Sequence, residues 1–157
     1  MSKPKVNTIL FVSMLVVALV LKAYYAWYWP KLNISIGNKE YKVLAATNYS
    51  HWQKGLGGRN SLKRSDGMIF VFKNQEQHTI VMRDMEFPID ILWIKNSEIV
   101  DIAPDVPAEP GVEEGQLTRY QARLPSDIVV EFPAGVIKRD GIKIGDKFKI
   151  ISEYKDN

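Results

Sequence analysis

The chain has 157 residues, room for one domain, and an ordinary apolar fraction of 46%. Its net charge of +3 belongs to residues 1–30, where Lys3, Lys5 and Lys22 meet no acid; residues 31–157 hold 18 bases and 18 acids. That balance argues against nucleic acid as a partner, which needs clustered positive charge to displace phosphate counterions, and the lack of cysteine excludes a disulfide scaffold, a thiol nucleophile and a cysteine zinc site.

Residues 1–30 read as a membrane anchor. Val6–Leu21 carries no charge, Lys22 interrupts, and "AYYAWYW" follows before Pro30. Thr8 to Trp29 would make a helix of about 33 Å, against a hydrocarbon core of about 30 Å. Lys22 would carry its ammonium to the headgroups, and Tyr24, Tyr25, Trp27, Tyr28 and Trp29 would form an interfacial belt. A cleaved signal peptide and a buried core helix are the alternatives. No small-residue cleavage pair follows Leu21, and a core helix rarely runs so far without a polar face. Lys3 and Lys5 favour a cytoplasmic N-terminus, while Lys22 and Lys31 weaken the bias. The expectation is a single-pass protein of the cell membrane, with residues 31–157 as a C-terminal domain outside the cytoplasm.

The soluble part reads as short strands. "KLNISIGNKEYKVLAAT" is a hairpin: Leu32, Ile34 and Ile36 alternate, Tyr41, Val43 and Ala45 alternate, and Gly37-Asn38 makes the turn. Asn48–Leu56 predicts one or two helical turns, capped by Asn48 or Ser50 and stopped by Gly57-Gly58. "GMIFVF", "HTIVM", "IDILWIK" and "EIVDIA" are strands. Prolines 104, 107 and 110, with Gly111 and Gly115, predict an irregular loop. "TRYQARL" and "DIVVEF" follow as strands. A short helix runs from Pro133 to Gly141, and "KFKIISEY" is the last strand. The pattern predicts a mostly β domain with two short helices, a small closed or nearly closed antiparallel or mixed barrel behind one transmembrane helix. Its expected core is Met68, Phe70, Phe72, Ile80, Met82, Ile91, Trp93, Ile99, Val129, Phe148 and Ile150.

Several segments in order look like one family. They are "GLGGR" at Gly55–Arg59, "GMIFVF" at Gly67–Phe72, "MRD" at Met82–Asp84 and "FPIDI" at Phe87–Ile91. "EIVDI" at Glu98–Ile102, "VVEFPAG" at Val129–Gly135 and "GIKIGD" at Gly141–Asp146 complete the set. Over about residues 32–152 the chain resembles the domain-of-unknown-function 192 family of small extracytoplasmic or membrane-anchored proteins. The resemblance implies a compact, mostly β fold and no established activity, so it brings no catalytic residues. The chain departs from the family pattern in two places. Gly57 stands where the family has methionine, and Val81-Met82-Arg83-Asp84-Met85 replaces a tryptophan-methionine-lysine-asparagine-threonine run.

The charged patch between two apolar runs supplies the candidate site. Alternation through "HTIVMRDM" sets Asp84 on a face with Ile80 and Met82, where a carboxylate needs a partner or a raised pKa. One reading has Arg59, Arg83, Asp84 and Asp90 line a polar groove for a ligand or partner. The plainer reading has Asp84 end a strand and bond to the following turn. Asp84, Asp90 and Glu131 also offer the carboxylate pair of a saccharide-cleaving enzyme of the cell envelope. Glu98–Glu114 holds six acids and no base, but prolines separate them, so a solvated loop fits better than a calcium loop; pairing with the Lys54–Arg64 bases is open. His51 reads as a surface or capping residue. "GLGGR" lacks the Lys-Ser/Thr of a phosphate loop, no serine sits in a nucleophile elbow, and the histidine spacing suits no zinc. The expectation is therefore a binding or accessory module of the envelope with no cofactor and no metal. Its partners would be the lipid bilayer and an envelope protein or glycan, with the carboxylate enzyme as the alternative.

Overall fold

The computed structural model describes residues 5–153, with side chains for 8–24 and 28–152. Helix α1 (Lys5–Trp27) comes first. Every described side chain along it, Thr8, Leu21 and Lys22 included, is exposed. The expected transmembrane anchor is corrected: among the described residues no helix is long and apolar enough to cross a membrane. The uncharged described stretch, Thr8–Leu21, rises about 21 Å before Lys22 interrupts it, whereas a bilayer core needs about 30 Å. The expected belt also changes character. Tyr24 stacks on Tyr28, with ring centroids 5.4 Å apart, but Trp29 packs into the domain, 4.1 Å from the His51 ring. The side chains of Tyr25 and Trp27, like Lys3, lie outside the described residues.

Strands β1 (Lys31–Ile36) and β2 (Lys39–Ala46) form the expected hairpin. Gly37 takes φ +55° at its turn, a conformation that costs glycine nothing. A crossover, residues 47–66, then leads to β3 (Gly67–Glu76), which pairs parallel with β2. Strands β4 (Thr79–Ile80), β5 (Ile89–Lys95), β6 (Glu98–Val106), β7 (Tyr120–Gln121), β8 (Ser126–Pro133) and β9 (Phe148–Glu153) follow. Seven of these make one sheet in the order β6-β5-β8-β3-β2-β1-β9, and β4 and β7 pair as a separate two-stranded ribbon. Helix α2 (Tyr49–Lys54) lies in the crossover, and α3 (Val136–Asp140) follows β8.

The expected barrel is an open, curled sheet, a half-barrel. Its edge strands β6 and β9 approach each other only at the bridge Glu98↔Lys147, flanked by Ile99 N–H to Asp146 O and Phe148 N–H to Ser97 O, both 3.0 Å. Farther along, β6 cannot continue a ladder. Pro104 has no N–H to offer, and Asp105 takes φ +52°. The same edge position explains why a proline inside a strand is tolerated and why β6 runs past the expected end of "EIVDIA".

Both faces of the sheet are buried, which gives two cores instead of one. Tyr41, Val43, Ala45, Ile69, Leu92, Ile94, Val130 and Phe132 face α3. Met68, Phe70, Ile89, Ile91, Trp93 and Val129 join Leu56, Ile80 and Met82 on the other side. Strands buried on both faces read as continuous apolar runs, as "IDILWI" and "IVVEF" do. Of the expected core, Phe72 is half-buried and Ile150 is exposed, since β9 is an edge strand. Lys39 and Tyr41 of β2 reach Asp140 of α3 at 2.7 and 2.9 Å and tie that helix to the sheet.

Candidate functional site

The site is built where the crossover meets the turn after β4. Asn48 caps α2, its Oδ1 accepting the His51 N–H at 2.9 Å. The Trp52 indole donates to Ala46 O at 2.8 Å and holds α2 against the end of β2. The helix stops at Gly55, earlier than the glycine pair predicts, with φ +49°. Leu56 then plugs into the core. At Gly57 two backbones nearly touch, because a Cβ would come 2.9 Å from Arg83 O and 3.0 Å from Lys54 O. Gly58 N–H donates to Asp84 O at 2.8 Å. The absent side chain at 57 is what lets the crossover sit this close.

Between α2 and this turn lies a cavity of about 120 Å³. Gln53, Lys54 and Arg83 give it a polar side, and Leu56, Phe70, Ile80 and Ile89 an apolar one. Glu131 is the acid that lines it, and among the described residues no other does. This glutamate stands on β8 opposite Met68 of β3 and Ile91 of β5, so apolar side chains flank it on both sides. It is 4% exposed, and no described residue gives its carboxyl a hydrogen bond. Burial pushes its pKa up to about 8. Near neutral pH it is therefore largely the uncharged acid, with one O–H to donate and a carbonyl to accept.

Arg83 is committed to the protein. Its Nε and Nη2 hold the two carboxylate oxygens of Glu114, the first at 2.6 Å, and its Nη1 donates to Gln53 O at 2.8 Å. The Glu114 carboxylate raises the Arg83 pKa, and Arg83 holds Glu114 below the usual carboxylate range. This two-point pair fastens the proline-rich segment beside the cavity. The same segment is folded on itself by Glu109, which accepts from Thr118 N–H at 3.1 Å and from its hydroxyl at 2.5 Å. The acidic stretch thus finds bases at Lys147 for Glu98, Arg123 for Asp101 and Arg83 for Glu114, not at Lys54–Arg64. Its one helical turn is the 3-10 turn Glu114–Gln116.

The structure does not assemble the expected four-residue groove. β4 ends at Ile80, so Asp84 leaves the apolar face; it is exposed in a turn at φ +54°. Asp90 is fully buried on the opposite face of the sheet from Glu131. Its carboxylate accepts Asp105 N–H at 2.9 Å and Ile137 N–H at 2.7 Å, joining β6 to the start of α3. Arg59 lies on the far side of the crossover, over the Trp29 ring at 5.0 Å. Only Arg83 lines the cavity. His51, expected at the surface, is buried against Trp29, with its Nε2 unpartnered among the described residues.

The fold is shared with two solved structures. One is a transcription-regulator candidate from Sinorhizobium meliloti 1021, with TM-score 0.68 and 25% identity over 78% of this chain and 95% of that one. The other is a protein of unknown function from Novosphingobium aromaticivorans, with TM-score 0.66 and 23% identity over 80% and 96%. No curated protein is significantly similar in sequence. The model of an uncharacterised family, DUF192, matches residues 32–150, nearly the whole β-rich domain. The chain therefore belongs to the domain-of-unknown-function 192 family.

Proposed function

We propose that the domain is a non-catalytic binding module whose cavity takes a small uncharged polar group, a hydroxyl or an amide such as envelope glycans present. One observation carries this reading: Glu131 is buried, uncharged near pH 7 and unbonded, in a cavity with apolar walls. A carboxyl held largely away from water, with no partner from the protein, is stabilised by a ligand that bonds to it. The size suits one ring or a short side-chain end, since a cavity of about 150 Å³ holds benzene. The lack of cysteine is compatible with an extracytoplasmic setting.

The carboxylate-enzyme reading loses its motive. That chemistry needs two acids facing one bond, and Asp84, Asp90 and Glu131 lie in an exposed turn, on one sheet face and on the other. Regulation of transcription, the role in the description of the Sinorhizobium relative, is disfavoured by the even charge balance of residues 31–157.

The test is titration of the full-length chain with N-acetylglucosamine and a panel of neutral saccharides by calorimetry. Binding is expected to be insensitive to salt, to survive in Glu131→Gln, to fall about tenfold in Glu131→Leu, and to weaken as pH passes about 8. Binding that Glu131→Leu leaves intact, or release of cleaved sugar, would refute the reading.

A further inference from the structure

The second half of the crossover encloses a different hollow. Asp66 pins the loop to β2: its N–H donates to Lys42 O at 2.6 Å, and its carboxylate accepts the Lys42 N–H at 2.7 Å. Under the loop lie two adjoining concavities of about 390 and 300 Å³, which share Lys31, Lys63, Arg64 and Ser65. Lys42 lines the first and Arg59 the second. Arg59, Lys63 and Arg64 thus face one hollow together with Lys31 and Lys42, which have partners of their own, and the single acid lining it, Asp66, has its carboxylate engaged. In a domain whose charges sum to zero, this is a marked segregation.

Arg59 is set into the wall. Its guanidinium lies over the Trp29 ring at 5.0 Å, and its Nε is buried with no hydrogen-bond partner among the described residues. Trp29 is held in turn by the His51 ring on α2, 4.1 Å away. A guanidinium fixed on an aromatic face beside the hollow is a preorganised anion-binding group.

We propose that the hollow under residues 59–66 is a second ligand site, and that it takes a phosphate group through Arg59, Lys63 and Arg64, with Ser61 and Ser65 supplying hydroxyl donors. Two features favour a phosphate over a nucleic acid. The bases surround one concavity and are not drawn out along a face, whereas a duplex presents a charge every ~1.7 Å. Arginine, lysine and serine donors line the same hollow, which suits the multiple oxygens of a single phosphate. A free phosphate ester and a phospholipid headgroup share this chemistry. The site is independent of Glu131 and of the neutral-ligand cavity.

The experiment uses the full-length chain and two probes. In one arm inorganic phosphate is titrated while the side-chain Nε–H resonances of arginine are followed. In the other, flotation is measured with phosphatidylcholine vesicles with and without phosphatidylglycerol. The variants are Arg59→Gln and the pair Lys63→Gln/Arg64→Gln; the last two residues are exposed, so their replacement leaves the packing intact. Lys138→Gln is the control. A phosphate-dependent shift of the Arg59 Nε–H, with affinity about tenfold weaker in the pair variant, supports a soluble phosphate compound. Flotation that requires phosphatidylglycerol and is lost in the same variants supports a headgroup. Absence of both responses, equal responses in wild type and variants, or a duplex DNA bound through these residues while phosphate and vesicles are ignored, would overturn the proposal.

Discussion

Asp90 and Glu131 sit one residue out of register on neighbouring strands, both inside the sheet, and meet opposite fates. Asp90 receives two backbone N–H groups and becomes a strut between β6 and α3. Glu131, on the other face, receives nothing from the protein and looks into a cavity. Burial alone did not separate the structural acid from the candidate ligand-binding one. What separates them is whether the fold itself answers the charge, because a buried polar group left unanswered is costly.

The comparison breaks most visibly with pH. The folded-state pKa of Glu131 is raised, to about 8 from an ordinary 4.5, so above pH 4.5 the unfolded chain gives up this proton more readily than the folded one. Its contribution should therefore be full below pH 4.5, fall as pH rises to about 8 and level off beyond, an excursion of roughly 3–5 kcal/mol. Urea denaturation across pH should show this decline in wild type and a flatter curve in Glu131→Gln. A wild-type curve already flat from pH 5 to 9 would mean that the carboxyl is hydrated or bonded and that the contrast with Asp90 is false. Asp90→Ala should cost about 3 kcal/mol, since it orphans two buried amides. Hydrogen exchange at Ile137 and Asp105 should rise together; protection unchanged at both would remove the strut.

Two smaller perturbations sharpen the comparison by acting on the cavity wall. Gly57→Ala should destabilise by about 1–3 kcal/mol, because a Cβ has nowhere to go between the two carbonyls. It should also weaken whatever the cavity binds, as seen by calorimetry. Arg83→Ala should leave the melting temperature nearly unchanged, since its pair with exposed Glu114 is screened by water. It should nevertheless speed proteolysis within residues 107–118, read by limited Glu-specific digestion at Glu113 and Glu114. Equal cleavage of wild type and variant would show that Arg83 does not fasten the segment.

Much of this was readable in the chain. Alternation foretells the β1–β2 hairpin, whereas Glu131 enters the sequence reading only as one of three acids for a carboxylate pair. The four groove candidates lie apart for local reasons. β4 is only two residues long, so alternation could not be extended to Asp84. His51 looked like a surface residue because its covering ring, Trp29, comes from a segment read as anchor. The Arg83–Glu114 pair joins residues 31 apart across an irregular loop, and nothing in local pattern foretells such a partner. The apolar leader was overread as a span because its length was counted across Lys22.

The parallel pairing of β2 with β3 has an architectural consequence. Antiparallel neighbours are joined by a tight turn, but a parallel neighbour obliges the chain to travel back along the sheet. Here that return journey, residues 47–66, supplies a wall of the cavity and the loop over the basic hollow. One contiguous insert therefore borders both proposed sites while the strands complete them, so grafting that insert between relatives should alter the proposed basic site more than the Glu131 cavity.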